Sequence, residues 1–299
     1  MLLNLSELGR MLTEDNLRAV VTEMLQRAET TLPADVVSVL RDGMKRERNP
    51  IPKLQFDLML ENLDLAKKFG APICQDTGTF TFFVQLGRKL RINFDLGAAI
   101  SEAVSSATQR VPLRANVVDP LTRKPIKSDT GMGQPTIHIE LVEGEKFQID
   151  LLVRGAGAEN CGKLFMLRPV ESMMAIERTV TSTLTEAWGR PCPPVTVGVG
   201  IGGSMETAPL MAKHALLRPL DKSNPDPKLA RLEHQIERAA NRLQIGPMGL
   251  GGKTTVLGVH IEKAACHTAS LPVAIAIQCW PARRAKSKLV GDRLKVVEP

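Results

Sequence analysis

Three cysteines beside prolines are the residues in this sequence best suited to metal chemistry. Cys74, Cys192 and Cys279 occur in the segments PICQDTG, RPCPP and CWP, each at the edge of an apolar run where a loop can present a side chain. Three thiolates on separate turns could hold one iron–sulfur cluster and leave one iron open as a Lewis acid. Spacing alone does not establish this, because a free cysteine is often a small buried hydrophobic residue.

The cysteine count and the absence of export signals set the context for these thiols. The chain has 299 residues and five cysteines. Its N-terminus, MLLNLSELGRMLTEDN, acquires acidic residues early and does not resemble a signal peptide. No apolar run approaches the ~18 residues of a membrane span. We therefore expect a cytoplasmic protein with no membrane partner, in which a functional cysteine serves metal binding or catalysis rather than a disulfide framework.

The charge balance favours an anionic partner. The formal net charge is +7, which suits nucleic acid, an acidic subunit or a carboxylate substrate. Basic residues cluster near the C-terminus, at Arg283, Arg284, Lys286, Lys288, Arg293 and Lys295. This cluster has no interleaved aromatic residues and no known nucleic-acid motif. We expect solvated surface for most of these charges and no nucleic-acid partner.

Hydrophobic periodicity and turn residues predict an α+β fold. We expect a helical N-terminal region over residues 1–70, packed as part of the same unit with a mixed or antiparallel sheet domain over 71–299 that helices surround. Ser204 is the expected N-cap of one helix. Hairpin-like strand pairs are expected between the helices. The expected elements are helices at 13–47 (restarting at Pro33), 54–69, 97–109, 170–188, 204–217 and 228–243, and strands at 79–84, 136–142, 147–153, 195–201, 255–262 and 272–279.

Two glycine-rich segments resemble nucleotide-binding motifs without their context. Residues 198–203 read GVGIGG between a strand and a helix, but the buried second strand of a dinucleotide-binding unit is missing at 218–227. Residues 246–254 read GPMGLGGKT, with the first glycine one position too distant for a P-loop and a strand where its helix should follow. We interpret the second segment as a tight loop whose backbone N–H groups could still approach a small anion.

Polar residues accompany the three cysteines. Gln75 and Asp76 follow Cys74 directly, Arg114 lies in the segment PLRAN, and His267 precedes Cys279 by one strand. Singly, each has an ordinary structural explanation, such as Asp76 capping the turn that follows it. Together they form a set of groups able to bind a carboxylate beside a metal.

Seven segments spread over the chain carry a family resemblance. They are CQDTG (74–78), LRANVVDP (113–120), GAGAEN (155–160), CPPVTVGVGIGGS (192–204), ALLRPL (215–220), IGPMGLGGKTT (245–255) and LPVAIAIQCWPARR (271–284). In type and order they resemble the iron–sulfur, class I fumarate hydratase and L(+)-tartrate dehydratase family. The similarity is to its N-terminal domain, or separate alpha subunit, and runs from about residue 15 to about residue 288.

The resemblance implies a cofactor and a set of site residues. It implies a 4Fe–4S cluster held by Cys74, Cys192 and Cys279. Cys161 and Cys266 fall outside this ligand pattern, and we expect both to be buried thiols. The implied substrate-binding positions are Gln75, Asp76, Arg114, Gly157 and His267.

The resemblance also implies an activity and a partner. The activity is a hydro-lyase reaction on a C4 dicarboxylate, with fumarate and (S)-malate favoured by the segments GAGAEN and GPMGLGG and L-tartrate with oxaloacetate as the alternative. Ala156 and Ala158 depart from the family's usual GGGSEN and leave substrate preference open. The resemblance implies that the catalytic base lies on a C-terminal domain, which we do not expect in this chain, so we assign no base here. We expect that domain on a beta subunit, in an α2β2 heterotetramer.

Two hypotheses of other classes stay open at this point. A non-catalytic, redox-sensing iron–sulfur protein would keep three cysteines but would have no use for Arg114 and His267. A basic nucleic-acid-binding module would bind duplex or single strands in a salt-dependent way.

Overall fold

The computed structural model describes residues 12–170 and 173–298, which form an α+β fold as the sequence predicts. No helix in these residues is both long enough and apolar enough to cross a membrane. The helices are α1 (Glu14–Thr30), α2 (Ala34–Arg46), α3 (Pro50–Phe69), α4 (Leu96–Arg110), α5 (Ala156–Glu159), α6 (Met173–Ala187), α7 (Thr207–Ala215) and α8 (Pro227–Asn241). The strands are β1 (Thr79–Gly87), β2 (Thr136–Val142), β3 (Phe147–Arg154), β4 (Lys163–Leu167), β5 (Val195–Ile201), β6 (Val256–Lys263), β7 (Leu271–Gln278), β8 (Arg284–Val290) and β9 (Arg293–Glu298).

The chain divides into two compact units, each built from separated segments. Among the described residues, the first unit comprises 12–33, 65–153 and 283–298, and the second comprises 34–64, 154–170 and 173–282. Each unit contains one of the two sheets and its own hydrophobic core.

The first unit packs α1 and α4 with a five-stranded sheet. The strand order is β2-β1-β3-β8-β9, with β1 parallel to β2 and with β8 antiparallel to both β3 and β9. Thr13 caps α1 by accepting the N–H of Asn16, and Asp95 caps α4 by accepting the N–H of Ala98. These side chains satisfy backbone donors that a helix start leaves unpaired. Apolar faces of both helices meet the inner face of the sheet in one core.

The second unit surrounds a four-stranded sheet with α6, α7 and α8. The order is β4-β7-β5-β6, in which β5 is parallel to β6 and antiparallel to β7. Gly198 and Gly200 of β5 face α7, where an added Cβ would lie 2.0 Å from the carbonyl oxygens of Ala212 and Ala208, respectively. These glycines therefore permit close helix–sheet packing. This packing explains two of the glycines in the GVGIGG segment without a bound dinucleotide.

Several local predictions are wrong in detail. Ser204 does not cap α7: the N-cap is Glu206, and the Ser204 hydroxyl instead pairs with that of Thr207 at 2.7 Å. Strands β2 and β3 do not form a hairpin, because β1 lies between them. The predicted helix at 170–188 is described from Met173, since residues 171 and 172 lie outside the described residues.

The C-terminal basic cluster departs furthest from expectation. It forms β8 and β9, which the sequence did not predict, as it did not predict β4. Arg283 and Arg284 are only 0% and 4% exposed, so the solvated surface expected for the cluster is wrong for these two residues. Arg284 forms a salt bridge with Glu298 at 2.9 Å, and Lys286 forms one with Asp150 at 3.0 Å.

Candidate functional site

In the first unit, residues 74–78 form a loop fixed at both ends. Gly70 ends α3 with φ +61, a conformation that favours glycine. The N–H of Ile73 donates to the carbonyl oxygen of Glu29 at 2.8 Å, and the N–H of Gly78 donates to the Asp76 carboxylate at 2.9 Å. Asp76 thus has the turn-capping contact considered from the sequence, while Cys74 is partly exposed and Gln75 is exposed. The loop presents its thiol and amide from a fixed backbone.

Hydrogen bonds bring Arg114 to this loop. The N–H of Arg114 donates to the Thr77 hydroxyl at 3.1 Å. The Asn116 amide donates to the same hydroxyl at 3.1 Å and to the carbonyl oxygen of Gly78 at 3.0 Å. The Arg114 side chain is exposed. The first unit therefore brings together four of the predicted site residues: Cys74, Gln75, Asp76 and Arg114.

Asp129, which was not identified from the sequence, holds the Arg114 segment in place through hydrogen bonds. Asp129 is only 2% exposed. Its carboxylate accepts hydrogen bonds from the backbone N–H groups of Asn116 at 2.6 Å and Val117 at 3.2 Å, and from the Thr108 hydroxyl at 3.3 Å. Burial raises the pKa of Asp129, although these hydrogen bonds oppose the shift. The segment SDTG that contains Asp129 resembles an ordinary turn, so the sequence does not indicate the contacts of Asp129 with distant residues.

A buried ion pair supports the other side of the loop. Arg283 donates to the Glu29 carboxylate at 2.6 Å and to the carbonyl oxygen of Asp76 at 2.9 Å, and both side chains of the ion pair are 0% exposed. Burial raises the pKa of Glu29 to about 7, and the charge of Arg283 and its hydrogen bond oppose that rise. Glu29 and Arg283 therefore hold residues 73 and 76, one on each side of the Cys74–Gln75 pair.

In the second unit, the turns that carry Cys192 and Cys279 lie side by side. The N–H of Trp280 donates to the carbonyl oxygen of Cys192 at 3.1 Å, and the N–H of Cys192 donates to the carbonyl oxygen of Gly189 at 3.1 Å. Cys192 has φ +52, a left-handed conformation uncommon for residues other than glycine. Cys279 is buried and Cys192 is partly exposed. Two of the three predicted ligands thus occupy neighbouring, well-fixed turns.

The glycine-rich segment at 246–252 packs against the Cys192 turn. The N–H of Met248 donates to the carbonyl oxygen of Pro193 at 2.7 Å. A Cβ at Gly249 would lie 2.7 Å from the Cα of Gly189, so a side chain there would displace one of the two backbones. The segment leads directly into β6, which confirms that it is a tight loop before a strand and not a P-loop.

Gly157 and Arg154 lie close to these turns in the second unit. A Cβ at Gly157, in α5, would lie 2.8 Å from the carbonyl oxygen of Arg190, two residues before Cys192. Arg154, another residue that sequence reasoning missed, is 4% exposed. Its guanidinium donates to the carbonyl oxygens of Ile277 at 2.7 Å and Ala158 at 3.2 Å. It therefore ties the Gly157 segment to the strand that leads to Cys279.

Arg154 also places positive charge near two thiols. Burial lowers the pKa of its guanidinium. Charge interactions with Glu159, 2.5 Å away, and with Cys279 and Cys161 raise that pKa and so oppose the effect of burial. A guanidinium keeps its charge in proteins. Arg154 therefore places a charged donor, already paired with Glu159, near Cys279.

The remaining predicted residues lie in the connection between β6 and β7 or in the core. His267 is exposed, and its Nδ1 accepts the N–H of Ala269 at 3.1 Å. Cys266 is also exposed, so its expected burial is wrong, because this connection lies on the surface. Cys161 is buried as predicted, and burial raises the pKa of its thiol.

The cysteines are chemically available as ligands. None of the five, all of which lie in the described residues, forms a disulfide bond. Across residues 12–170 and 173–298, no three or more His, Cys, Asp or Glu side chains form a group placed to hold a metal ion. The donor chemistry still fits an iron–sulfur group, because thiolates are the usual ligands of such clusters and each of the three candidates lies on a turn held by backbone hydrogen bonds.

The chain is similar to known proteins over nearly its whole length. The family model described as fumarate hydratase (Fumerase) matches residues 18–288. A Methanocaldococcus jannaschii protein named "Putative L(+)-tartrate dehydratase subunit alpha" is 42% identical over 91% of this chain and 97% of its own. The L(+)-tartrate dehydratase subunit alpha of Escherichia coli K12 is 34% identical over 96% of this chain and 95% of its own.

Proposed function

The chain belongs to the fumarate hydratase (Fumerase) family of hydro-lyases, and we propose that it is an alpha subunit that adds water to, or removes it from, a C4 dicarboxylate. The observation that carries this proposal is the joining of two segments in the first unit. Residues 74–78 present a thiol and an amide, and hydrogen bonds hold the guanidinium-bearing Arg114 segment beside them.

We further assign the cofactor as a 4Fe–4S cluster, with Cys74, Cys192 and Cys279 as its ligands. Cysteines outside any disulfide, on turns with fixed backbones, support this assignment, as does the buried guanidinium of Arg154, which donates to the carbonyl oxygen of Ile277, two residues before Cys279. When bound, such a cluster with three protein ligands supplies an open, Lewis-acidic iron that can polarise a C–O bond.

The chain's own side chains bind and orient the substrate. Arg114 is exposed and its guanidinium has the planar fork that pairs with a carboxylate through two parallel hydrogen bonds. Gln75 and His267, both exposed, supply hydrogen-bonding groups for the remaining oxygens. Asp76 accepts the N–H of Gly78 and so holds the loop in shape, and Gly157 allows its segment to approach the Cys192 turn.

The rest of the site belongs to a partner in this proposal. Elimination of water also needs a base that removes a proton from the carbon beside a carboxylate, and we assign none of this chain's residues to that task. The relatives' names describe them as alpha subunits. A beta subunit that carries the base, in an α2β2 heterotetramer located in the cytoplasm, completes the proposal.

Two substrate pairs fit the same chemistry. Fumarate with (S)-malate is our first assignment, and the family model carries that activity in its description. L-tartrate with oxaloacetate is the second, favoured by the names of relatives 34–42% identical to this chain. The pairs differ by one hydroxyl group, which a pocket built to hydrogen-bond it can discriminate strongly.

The test is a substrate comparison with the chain co-expressed with its beta subunit. Fumarate formation from (S)-malate and oxaloacetate formation from L-tartrate are measured under anaerobic conditions. We expect one substrate to be strongly preferred, and Arg114→Met to raise KM for it by on the order of tenfold or more through loss of a charge-assisted pair. Arg123→Met, a control in an exposed turn, should leave KM unchanged. Turnover of neither substrate would refute the proposed function.

A further inference from the structure

A basic groove opens in the second unit where α2 and α8 end. Its volume is about 530 Å³. Its lining residues are Arg46, Glu237, Arg238, Asn241, Arg242, Gln244 and Lys253. None of them is a predicted ligand or substrate contact of the hydro-lyase site, so the groove needs an explanation of its own.

The groove carries an excess of positive charge. Four cationic side chains line it against the single carboxylate of Glu237. Within the part of the chain that the structure describes, none of those four forms a salt bridge. Other cations of the unit, such as Lys213 and Arg218, do have carboxylate partners. The groove thus gathers four cations that have no salt bridge in the described residues, although the charges of Arg46 and Arg238 also act on Glu237.

The backbone beneath these cations is fixed. The Glu47 carboxylate, 3% exposed, accepts the N–H groups of Lys253 and Thr254, both at 2.9 Å. The Asn241 side chain accepts the N–H of Thr255 at 2.8 Å. Gly252 has φ +134, a conformation that residues with side chains rarely adopt. Lys253 is therefore presented from a loop whose shape is set before any ligand arrives.

We propose that the basic groove binds a diphosphate or triphosphate group. Guanidinium forks match phosphate oxygens bidentately, and three of the four cations are arginines. A linear polyphosphate distributes several charges along its length, as the cations from α2, α8 and the Lys253 loop are distributed around the groove. Its volume lies within the range of about 300–1,000 Å³ typical of small-ligand sites.

The lining also argues against other anionic partners. It contains no aromatic side chain on which a nucleic-acid base could stack. A single phosphate or a monocarboxylate would leave most of the four cations without a partner. The phosphate group could be free or could be the tail of a nucleotide, and the two sources share the chemistry that the groove recognises.

The test measures tripolyphosphate binding to the full chain by isothermal titration calorimetry. We expect one tripolyphosphate bound per chain, with affinity falling as salt rises because the contacts are ionic. Arg238→Gln and Arg242→Gln should each weaken binding on the order of tenfold, since each removes charge-assisted hydrogen bonds. Arg231→Gln is the matched control: it removes the same charge from an exposed position of α8 outside the groove.

The outcomes separate the ligand sources and can reject the site. Equal affinity for tripolyphosphate and ATP would support recognition of the phosphate chain alone, and tighter ATP binding would support a nucleotide. Equal losses in Arg231→Gln and Arg238→Gln, or inorganic phosphate binding as tightly as tripolyphosphate, would overturn the proposal. Tighter binding of duplex DNA than of tripolyphosphate would overturn it too, in favour of a nucleic-acid surface.

Discussion

Replacing Arg283 by methionine should destabilise the first unit strongly and in a pH-dependent way. The guanidinium is 0% exposed and donates to Glu29 at 2.6 Å and to the carbonyl oxygen of Asp76 at 2.9 Å. Methionine fills similar space without a charge. The substitution therefore leaves a buried carboxylate unpaired and frees the loop that presents Cys74.

The expected loss follows from the burial of the pair. Removing one partner of a buried ion pair costs about 3–5 kcal/mol, because the remaining charge stays desolvated. Protonation of Glu29 can relieve part of this cost, since burial already raises its pKa to about 7 with Arg283 present. Without the opposing charge of Arg283, the pKa of Glu29 should rise further.

The pH dependence has a definite sign. An unfolded glutamate has its ordinary pKa of 4.5, so between pH 4.5 and about 7 the folded wild-type chain binds more protons than the unfolded chain at this residue. The contribution of Glu29 to stability therefore falls as pH rises through that window and levels off above about pH 7. In Arg283→Met the fall should continue above pH 7, by about 1.4 kcal/mol for each pH unit.

Urea denaturation at pH 6, 7 and 8 measures this, with the double variant Glu29→Gln/Arg283→Met for comparison. The double variant removes the unpaired carboxylate, so it should be more stable than Arg283→Met at pH 8 and should lose the extra pH dependence. A loss below about 1 kcal/mol at pH 8 would contradict the cost assigned to the broken pair. So would a single variant whose loss is the same at all three pH values.

Three further substitutions test the supports of the candidate site. Gly157→Ala places a Cβ 2.8 Å from the carbonyl oxygen of Arg190 and should lower the free energy of unfolding, measured by urea denaturation, by about 1–3 kcal/mol. Gly97→Ala is the control, because the nearest atom to its added Cβ is 3.4 Å away, and it should be tolerated. Equal losses in the two variants would argue against the clash. Arg154→Met leaves the carbonyl oxygens of Ile277 and Ala158 without this donor and should cost about 1–3 kcal/mol in thermal or urea denaturation, so an unchanged midpoint would refute its role. Asp129→Ala leaves two backbone N–H groups without their acceptor and should cost about 1–3 kcal/mol, with faster amide exchange at those groups; unchanged exchange would contradict it.

The sequence predicted the long helices and six of the nine strands in the described residues because their signals are local. Helix α3 shows its apolar spacing and stops before Gly70, so its end and the loop placement of Cys74 could be predicted, although it begins at Pro50 and not at residue 54 as expected. Helices α1 and α4 were also predicted, although their caps, Thr13 and Asp95, were not identified from the sequence. The order of strands in a sheet depends on distant segments, and for this reason β1 could not be predicted to lie between β2 and β3.

The supports of the site were missed for the same physical reason. Glu29 and Arg283 are 254 positions apart in the sequence, and each alone resembles a surface charge. Arg154 contacts Ile277, 123 positions away, and its burial is not evident from its neighbours in the sequence. A buried charge depends on a partner from another element, so these residues become recognisable only in the folded chain.

The central claim is that three particular thiols hold the cluster, and iron retention tests it most directly. The chain is reconstituted anaerobically with iron and sulfide, and bound iron is counted with its visible absorbance. The account predicts a brown protein with about four irons per chain, lost on replacing Cys74, Cys192 or Cys279 by serine and kept in Cys161→Ser and Cys266→Ser. A colourless, iron-free wild type, or equal losses in all five variants, would contradict it.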